Sequence, residues 1–230
     1  METRRVHPLA IKSGAFALFL ALGFCPQASA GKVPGQAMPS TSPNGFFVFR
    51  QLDDDDPAEP DRDRESTQAV FETKTKRRIF VFPPYAGDSF GETVRVVWSK
   101  DSKRLAVNYR AGGRYYATSL FKIDGLKFTE LPNLEGTLAA PLESAKIEQV
   151  KALGLPGDSY QRRINDSFTT RRWIDDNTIE LDSRSESSVL IKSADGEDIE
   201  FVSAALRCIV KFDPGTMQWK IVKSLKLGDE

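Results

Sequence analysis

The stretch from Trp98 to Leu131, WSKDSKRLAVNYRAGGRYYATSLFKIDGLKFTEL, decides the fold class of this chain. It contains four runs rich in β-branched, aromatic and other apolar residues. They are separated by three short breaks, at residues 100–102, 111–114 and 124–125, that carry Gly, Asp and Ser. These residues tolerate turn dihedrals, and Asp-Gly between apolar runs is a strong hairpin signal. The stretch therefore predicts an antiparallel meander of four strands.

The same pattern of short apolar runs and polar breaks continues on both sides of this stretch, and it predicts about twelve strands in all. One helix is predicted near 141–153, because Pro141 suits a first helical turn and Gly154 suits the position after a helix. We therefore predict an all-β fold of antiparallel, blade-like four-stranded meanders, forming a partial or small propeller-like array. A two-sheet β-sandwich is the alternative.

An imperfect repeat supports the blade-like reading. Trp98 and Trp173 each start the same sequence pattern, in which the end of a strand leads through a short polar turn into another strand. Ser42-Pro43-Asn44-Gly45 begins a third copy without the tryptophan, and Phe212 begins a candidate fourth. Propeller blades repeat at about 40–45 residues. The longer spacings found here fit that period only if two segments are treated as insertions.

Residues 98–131 resemble a blade of the TolB-like or WD40-like β-propellers, whose signature reads W-S-x-D-[GS]-x-x-[LI]-[AV]. Lys100 stands where proline is usual, and Ser102 stands where glycine is usual. The resemblance implies blade geometry. It implies no particular activity, because propellers host many functions.

The first thirty residues have the three-part pattern of a secretory signal peptide. A basic start precedes the apolar run Ala15–Phe24, and small residues lead up to Ala30. Ten apolar residues are too few to cross a bilayer, which takes about 20. We expect cleavage after Ala30 and an exported protein, periplasmic or extracellular, with no stable membrane insertion. An uncleaved N-terminal anchor is the alternative. Residues 31–41 predict a flexible leader and residues 42–230 a single all-β domain, with an acidic loop insertion at 52–66.

Composition excludes several classes of protein. The chain has 32 basic and 32 acidic residues, one histidine and two cysteines. A nucleic-acid binder needs a surplus of Lys and Arg, so no nucleic-acid partner is expected. Cleavage after Ala30 would leave 29 basic and 31 acidic residues, no histidine, and Cys208 alone. We predict a buried, inert thiol at Cys208, no metal and no cofactor.

Two motifs resemble catalytic ones. Gly87–Gly91, GDSFG, matches the nucleophile elbow G-x-S-x-G, but that elbow needs a histidine base and a strand–turn–helix context. Ser119 and Lys122 match S-x-x-K, yet they fall in a predicted strand, where residues three apart point to opposite faces. Neither motif predicts a nucleophile here.

A hairpin that carries tyrosines and arginines is the candidate binding site, formed by Tyr109, Arg110, Arg114 and Tyr115. Tyr and Arg are enriched at recognition hot spots. An ordinary turn whose aromatic rings pack into the sheet is the competing interpretation. The predicted function is that of an exported, non-catalytic binding or scaffold module with a protein or saccharide partner. The alternative is a carboxylate-dependent hydrolase acting on saccharide or cell-envelope material, since glycosidases need only two positioned carboxyls. The sequence does not single out such a pair.

Overall fold

Two sheets, antiparallel except for one short parallel pairing, and one helix form the part of the chain that the structure, a computed structural model, describes: residues 40–51, 68–82, 94–156, 159–193 and 196–227. All of these residues belong to one unit, Ala37–Glu230. The predicted signal peptide, the acidic loop insertion and the GDSFG motif lie outside the described residues. The predicted all-β fold with a single helix is confirmed.

The first sheet contains β1 (Phe47–Gln51), β2 (Gln68–Glu72) and β3 (Arg78–Val81) in that order. Its first strand has a further short neighbour: Thr41 pairs with Val48, and the N–H of Phe49 donates to the carbonyl of Ser40 at 2.7 Å. The last two residues of the predicted leader therefore belong to this first meander, which is four-membered when they are counted.

The second sheet contains two further meanders of four strands each. The elements are β4 (Arg95–Trp98), β5 (Arg104–Gly112), β6 (Tyr115–Asp124), β7 (Lys127–Glu130), α1 (Glu135–Ala152), β8 (Tyr160–Asp175), β9 (Thr178–Ser193), β10 (Gly196–Asp213) and β11 (Gln218–Lys226). Every pair of strands adjacent in sequence within these two meanders is antiparallel.

Two apolar clusters hold the meanders together. One joins the first sheet to one face of β4–β7 and is rich in aromatic rings, with Phe82 packed edge-on against Phe121 and Phe47 stacked on Trp98. The other joins the opposite face of β4–β6 to the helix and to β8–β11. The alternation of side chains along β5 therefore supplies both layers: Leu105 and Val107 face one cluster and Ala106 the other.

The second and third meanders meet through β8. This strand pairs in parallel with β6 at only two positions, Tyr115 with Asp166 and Tyr116 with Ser167. Further along, the side-chain amide of Asn108 bonds both the N–H and the carbonyl of Thr170 at 2.9 Å, so it completes the backbone pairing that β8 lacks there. Trp173 Nε1 donates to the carbonyl of Val97 at 3.1 Å.

The helix begins earlier than predicted, at Glu135 rather than near Pro141, and Pro141 lies inside it. An internal proline removes a backbone hydrogen bond and costs about 3 kcal/mol. Leu138 and Leu142 flank it and are almost fully buried, which offsets that cost because burying a leucine side chain contributes about 1.5–3 kcal/mol. Among the described residues, no helix is long and apolar enough to cross a membrane.

The sequence pattern predicts two strands in this region, at residues 178–182 and 188–192, with a break between them. That prediction was wrong, because Thr178–Ser193 is one strand. Its polar sequence suggested a loop. Ser183, Ser185 and Ser187 instead point inward and are buried, while Asp182, Arg184 and Glu186 alternate with them on the other face.

Candidate functional site

Two turns at one end of the fold have the same hydrogen-bond pattern. In the first, Ser42 Oγ accepts from the N–H of Phe47 at 2.9 Å and donates to Asn44 Oδ1 at 2.7 Å. In the second, Ser99 Oγ accepts from the N–H of Arg104 at 2.8 Å and donates to Asp101 Oδ1 at 2.6 Å. The segments that begin at Ser42 and Ser99, two copies of the imperfect repeat, therefore have the same turn geometry.

The two turns also share a left-handed residue at the fourth position. Gly45 has φ 71° and Ser102 has φ 62°. Glycine adopts this conformation without steric cost, whereas serine does not. Ser102 compensates by accepting a hydrogen bond from the N–H of Asn44 at 3.0 Å, which links the two turns directly.

The turn between β8 and β9 is a shorter variant of the same theme. Asp175 Oδ1 accepts from the N–H of Asn177 at 2.8 Å. The candidate fourth copy has a comparable local bond, from the N–H of Gly215 to Asp213 Oδ1 at 2.9 Å. Both lack the serine that organises the first two turns, so only the first two copies match in full.

A cleft of about 520 Å³ opens where the first three turns meet the turn between β6 and β7. Its walls come from three separate meanders, and polar groups outnumber apolar ones. The lining residues are Asn44, Phe46, Phe47, Asp101, Ser102, Lys103, Arg104, Lys122, Ile123, Asp124, Gly125 and Asp176.

Arg104 is the unusual residue of this cleft. Its side chain is only 8% exposed, yet it makes no ion pair within 4.0 Å among the described residues. One terminal nitrogen donates to the carbonyl of Lys103 at 3.0 Å, and the other reaches Asn177 Oδ1 at 3.5 Å. Nε is buried and has no hydrogen-bond partner in the described part of the chain. Burying a charge without a counter-charge is costly.

The rest of the cleft carries both signs of charge. Lys103 and Lys122 are exposed at its rim, as are Asp124 and Asp176. Partial burial raises the pKa of Asp101, but hydrogen bonds from Ser99 and from the N–H of Lys103, with the charges nearby, outweigh it and leave the pKa below its ordinary value. Asp101 is therefore a carboxylate at neutral pH and is occupied in holding its own turn.

The predicted tyrosine–arginine hairpin forms, at the turn between β5 and β6. The Arg110 guanidinium folds back onto the hairpin, where it donates to the carbonyls of Gly112 and Gly113 and lies 5.8 Å from the ring centre of Tyr116. Arg114 is exposed. Ligand binding at this hairpin stays a prediction.

The two tyrosines of the hairpin lie beside the start of α1. Burial raises the pKa of Tyr115, and a hydrogen bond to Glu135 with that carboxylate's charge raises it further. Burial also raises the pKa of Tyr109, with the charges of Glu135 and Glu130 adding to the effect against a hydrogen bond from Ser119. Both phenols are therefore neutral at physiological pH, and both side chains are half-buried.

The remaining candidate nucleophiles are held in structural roles. Ser119 and Lys122 both lie in the strand β6, as predicted. Residues three apart on a strand point to opposite faces, so these two side chains do not form a catalytic pair. Lys146 Nζ donates to Ser187 Oγ at 2.9 Å, but both side chains are buried between α1 and β9, where substrate has no path to them. Cys208 is buried as predicted, and burial raises the pKa of its thiol.

Sequence reasoning missed Arg104 and the cleft. The repeated phrase was the available signal, because equivalent turns of successive meanders lie at the same end and can share a site. What the sequence could not show is that Arg104 is buried with no carboxylate oxygen within 4.0 Å among the described residues.

No family model, curated protein or solved structure matches this chain. Within the described ranges, no three His, Cys, Asp or Glu side chains are grouped so that they could hold a metal ion.

Proposed function

We propose that this protein is an exported, non-catalytic binding module whose cleft takes an acidic saccharide. The observation that carries the proposal is the buried guanidinium of Arg104, which lines a cleft and has no ion pair among the described residues. A carboxylate in the cleft would supply the counter-charge, and Arg pairs with carboxylates in strong, directional hydrogen bonds.

The other lining residues favour a sugar as the carrier of that carboxylate. Phe46 is 39% exposed at the cleft, and its ring packs edge-on against Phe47 at 4.8 Å. An exposed aromatic ring offers an apolar surface to a sugar face. Asn44, Asp124 and Asp176 offer hydrogen-bonding groups for hydroxyls.

The resemblance to propeller blades belongs to this proposal. Three successive meanders supply four strands each once Ser40–Thr41 is counted, and the Ser42 and Ser99 turns share one hydrogen-bond pattern. These features support a blade-like repeat with its binding site at the turn end. Export to the periplasm or the exterior rests on the signal-peptide pattern alone.

The hydrolase alternative receives less support. A general acid needs a pKa raised towards neutrality, whereas the pKa of Asp101, the cleft carboxylate that Ser99 holds, is lowered. The cleft is therefore better suited to holding a ligand than to protonating a leaving group.

Calorimetric titration with a glucuronate-containing disaccharide tests the proposal, with the neutral glucose disaccharide and sodium acetate as matched ligands. We expect binding of the acidic sugar only. Arg104→Gln should weaken it about tenfold or more, because a hydrogen bond to a charged group contributes about 1.5–3 kcal/mol. Lys103→Ala should weaken it about twofold, as expected for an exposed charge.

Lys74→Ala is the control, because Lys74 is exposed in the β2–β3 turn and lines no part of the cleft. Its affinity should match the wild type. Equal binding of the neutral and acidic sugars, or binding that survives Arg104→Gln in a folded variant, would contradict the proposed site. Binding of acetate alone would indicate a carboxylate site without sugar recognition. Release of monosaccharide would favour the hydrolase.

A further inference from the structure

Among the described residues, one strand of the third meander has an edge that no other strand covers. β11 covers β10 only from Leu206 to Asp213, and β10 begins ten residues earlier, at Gly196. Those ten residues pair with β9 on one side. On the other side no strand lies among the residues that the structure describes.

The register shows which backbone groups face this edge. Ala205 presents its carbonyl there, since it accepts from the N–H of Leu227 at 2.8 Å. Ser203 presents both its N–H and its carbonyl at this edge. The N–H donates to Gln149 Oε1 at 3.0 Å, and the carbonyl accepts from Gln149 Nε2. Backbone groups of an antiparallel strand point to alternate sides, so Phe201, Ile199 and Glu197 also point their N–H and carbonyl groups outward.

The side chain of Gln149 shows that this edge can accept a neighbouring strand. Its amide offers one donor and one acceptor to Ser203, the same pair that a residue of a neighbouring strand would offer. Gln149 of the helix thus takes the place of a neighbouring strand at Ser203. Beside the next three outward-facing residues, Phe201, Ile199 and Glu197, no strand lies in the described part of the chain.

The side chains beside these rungs are apolar and well exposed. Ile199 is 62% exposed and Phe201 is 59% exposed, and Leu225 of β11 is 58% exposed. Ile199, Phe201 and Arg207 share one face of β10, and Leu225 lies opposite Arg207 on that face. Proteins protect such edges with charged side chains, Lys above all, with Pro or with a bulge. The segment Glu197–Ser203 has no Lys, Pro or bulge, and its only charged residues are acidic.

The charges of the segment indicate what fits it. Glu197, Asp198 and Glu200 are exposed, and no basic residue lies between Glu197 and Ser203. A second copy pairing through the same segment would set acidic residues opposite one another, which is destabilising. A strand that alternates apolar and basic residues would match both the exposed apolar side chains and the negative charge.

We propose that the open edge of β10, Glu197–Ser203, captures an extended basic peptide as an added strand. The peptide's backbone bonds the outward groups of Glu197, Ile199 and Phe201, its apolar side chains cover Ile199 and Phe201, and its Lys or Arg residues pair with the acidic side chains. This surface shares no residue with the cleft, so it stands independently of the saccharide proposal.

The test uses the full chain and a labelled heptapeptide of alternating Lys and Val, followed by fluorescence anisotropy. A second heptapeptide has the same sequence with its bonding amides N-methylated, so it keeps the charge and loses the donors. We expect the first to bind and the second to bind at least tenfold more weakly, because several backbone bonds of about 0.5–1.5 kcal/mol each are lost together. Hydrogen exchange at the amides of Ile199 and Phe201 should slow in the complex.

Two substitutions locate the site. Ile199→Pro removes an outward N–H without touching the bonds to β9 and should lower the affinity about fivefold. Glu200→Lys should lower the affinity of the basic peptide, whereas Glu130→Lys on β7, equally exposed, should not. Circular dichroism and the melting temperature establish that each variant is folded.

Equal affinity for the plain and methylated peptides would overturn the proposal, since it would leave charge attraction alone. So would slowed exchange elsewhere with none at Ile199. A free protein that is dimeric in sedimentation equilibrium and becomes monomeric on Ile199→Pro would show that a second copy occupies the edge instead.

Discussion

The backbone N–H of Asn44 donates to Ser102 Oγ at 3.0 Å and so joins two turns that are 58 residues apart in sequence. Each turn closes the start of one meander, and each is held by its own serine, Ser42 or Ser99. The bond therefore fixes the first meander against the second at the rim of the cleft. The site depends on the stability of this contact.

Substitution of Ser102 separates its two roles. Ser102→Ala removes the acceptor for Asn44 and keeps a side chain at φ 62°, so it should destabilise the protein by about 1 kcal/mol. Ser102→Gly removes the same acceptor but relieves the left-handed strain, which is worth about 1 kcal/mol, so its stability should stay near the wild type. Urea unfolding measures both. Equal destabilisation by the two variants would contradict a strained Ser102.

The serines of the two equivalent turns should be equally important. Ser42→Ala and Ser99→Ala each leave a buried N–H, that of Phe47 or Arg104, without its acceptor, and should each cost about 1–2 kcal/mol of unfolding free energy. Thr75→Ala is the control, because Thr75 also bonds a turn N–H but lies exposed; its cost should stay within about 0.5 kcal/mol. If one serine mattered and the other did not, the turns would not be energetically equivalent.

The strands of residues 98–131 could be predicted because their breaks carry the residues that the turns need. β5, β6 and β7 fall within two residues of their predicted bounds. The single strand β9 could not be predicted, because its inward serines look like a loop until the buried Lys146 is placed over Ser187. The sequence of β9 shows that serines alternate with charged residues. Only the packing of the helix against this strand shows that the serines are the residues that face inward.

The candidate site, like the fold, could be predicted only in part. The phrases at Ser42 and Ser99 were recognisable as copies, and the structure gives them one hydrogen-bond pattern. Their meeting in space depends on how the meanders stack, which no local pattern encodes. The tyrosine–arginine hairpin was found from composition, but its Tyr115 forms a hydrogen bond with Glu135, a residue that the sequence placed before the predicted helix.

Asp182 should make stability depend on pH in the acid range. Burial raises its pKa, but hydrogen bonds from Arg207 at 2.8 Å and Arg171 at 2.9 Å outweigh that effect and lower the pKa below 3.8. A carboxyl with a lowered folded pKa contributes stability above its unfolded value and loses it as the pH falls through the folded pKa. Asp182→Asn should cost about 1 kcal/mol at neutral pH, a modest figure because Arg171 is 40% exposed.

Urea unfolding at a series of pH values checks this. The gap between wild type and Asp182→Asn should be constant above the ordinary carboxyl range and close as the pH falls below it. Asp176→Asn, at an exposed carboxyl, is the comparison. A gap that persists in acid would mean that the asparagine, rather than the lost charge, causes the destabilisation.

Tyr115 should titrate late in alkali. Its pKa is raised above 10.0 by burial, by its hydrogen bond to Glu135 and by the charge of that carboxylate. Because the raised pKa favours the neutral phenol, its contribution to stability is full below the unfolded pKa of 10.0 and is lost as the pH rises towards the folded value. Tyrosinate absorbance should show part of the five tyrosines ionising late, and Tyr115→Phe should remove a share of that late step.

Glu135→Gln tests the effect of the carboxylate charge on the pKa of Tyr115, because glutamine keeps a hydrogen-bond acceptor and removes the charge. The late step should move to lower pH in this variant. Glu130→Gln should leave the Tyr115 step in place, because Glu130 acts on Tyr109 and not on Tyr115. If Glu135→Gln left the titration unchanged, burial and the charges of other neighbours, Asp166 among them, would account for the raised pKa of Tyr115. The contact between the hairpin and the start of α1 would then contribute nothing to the ionisation of the hairpin.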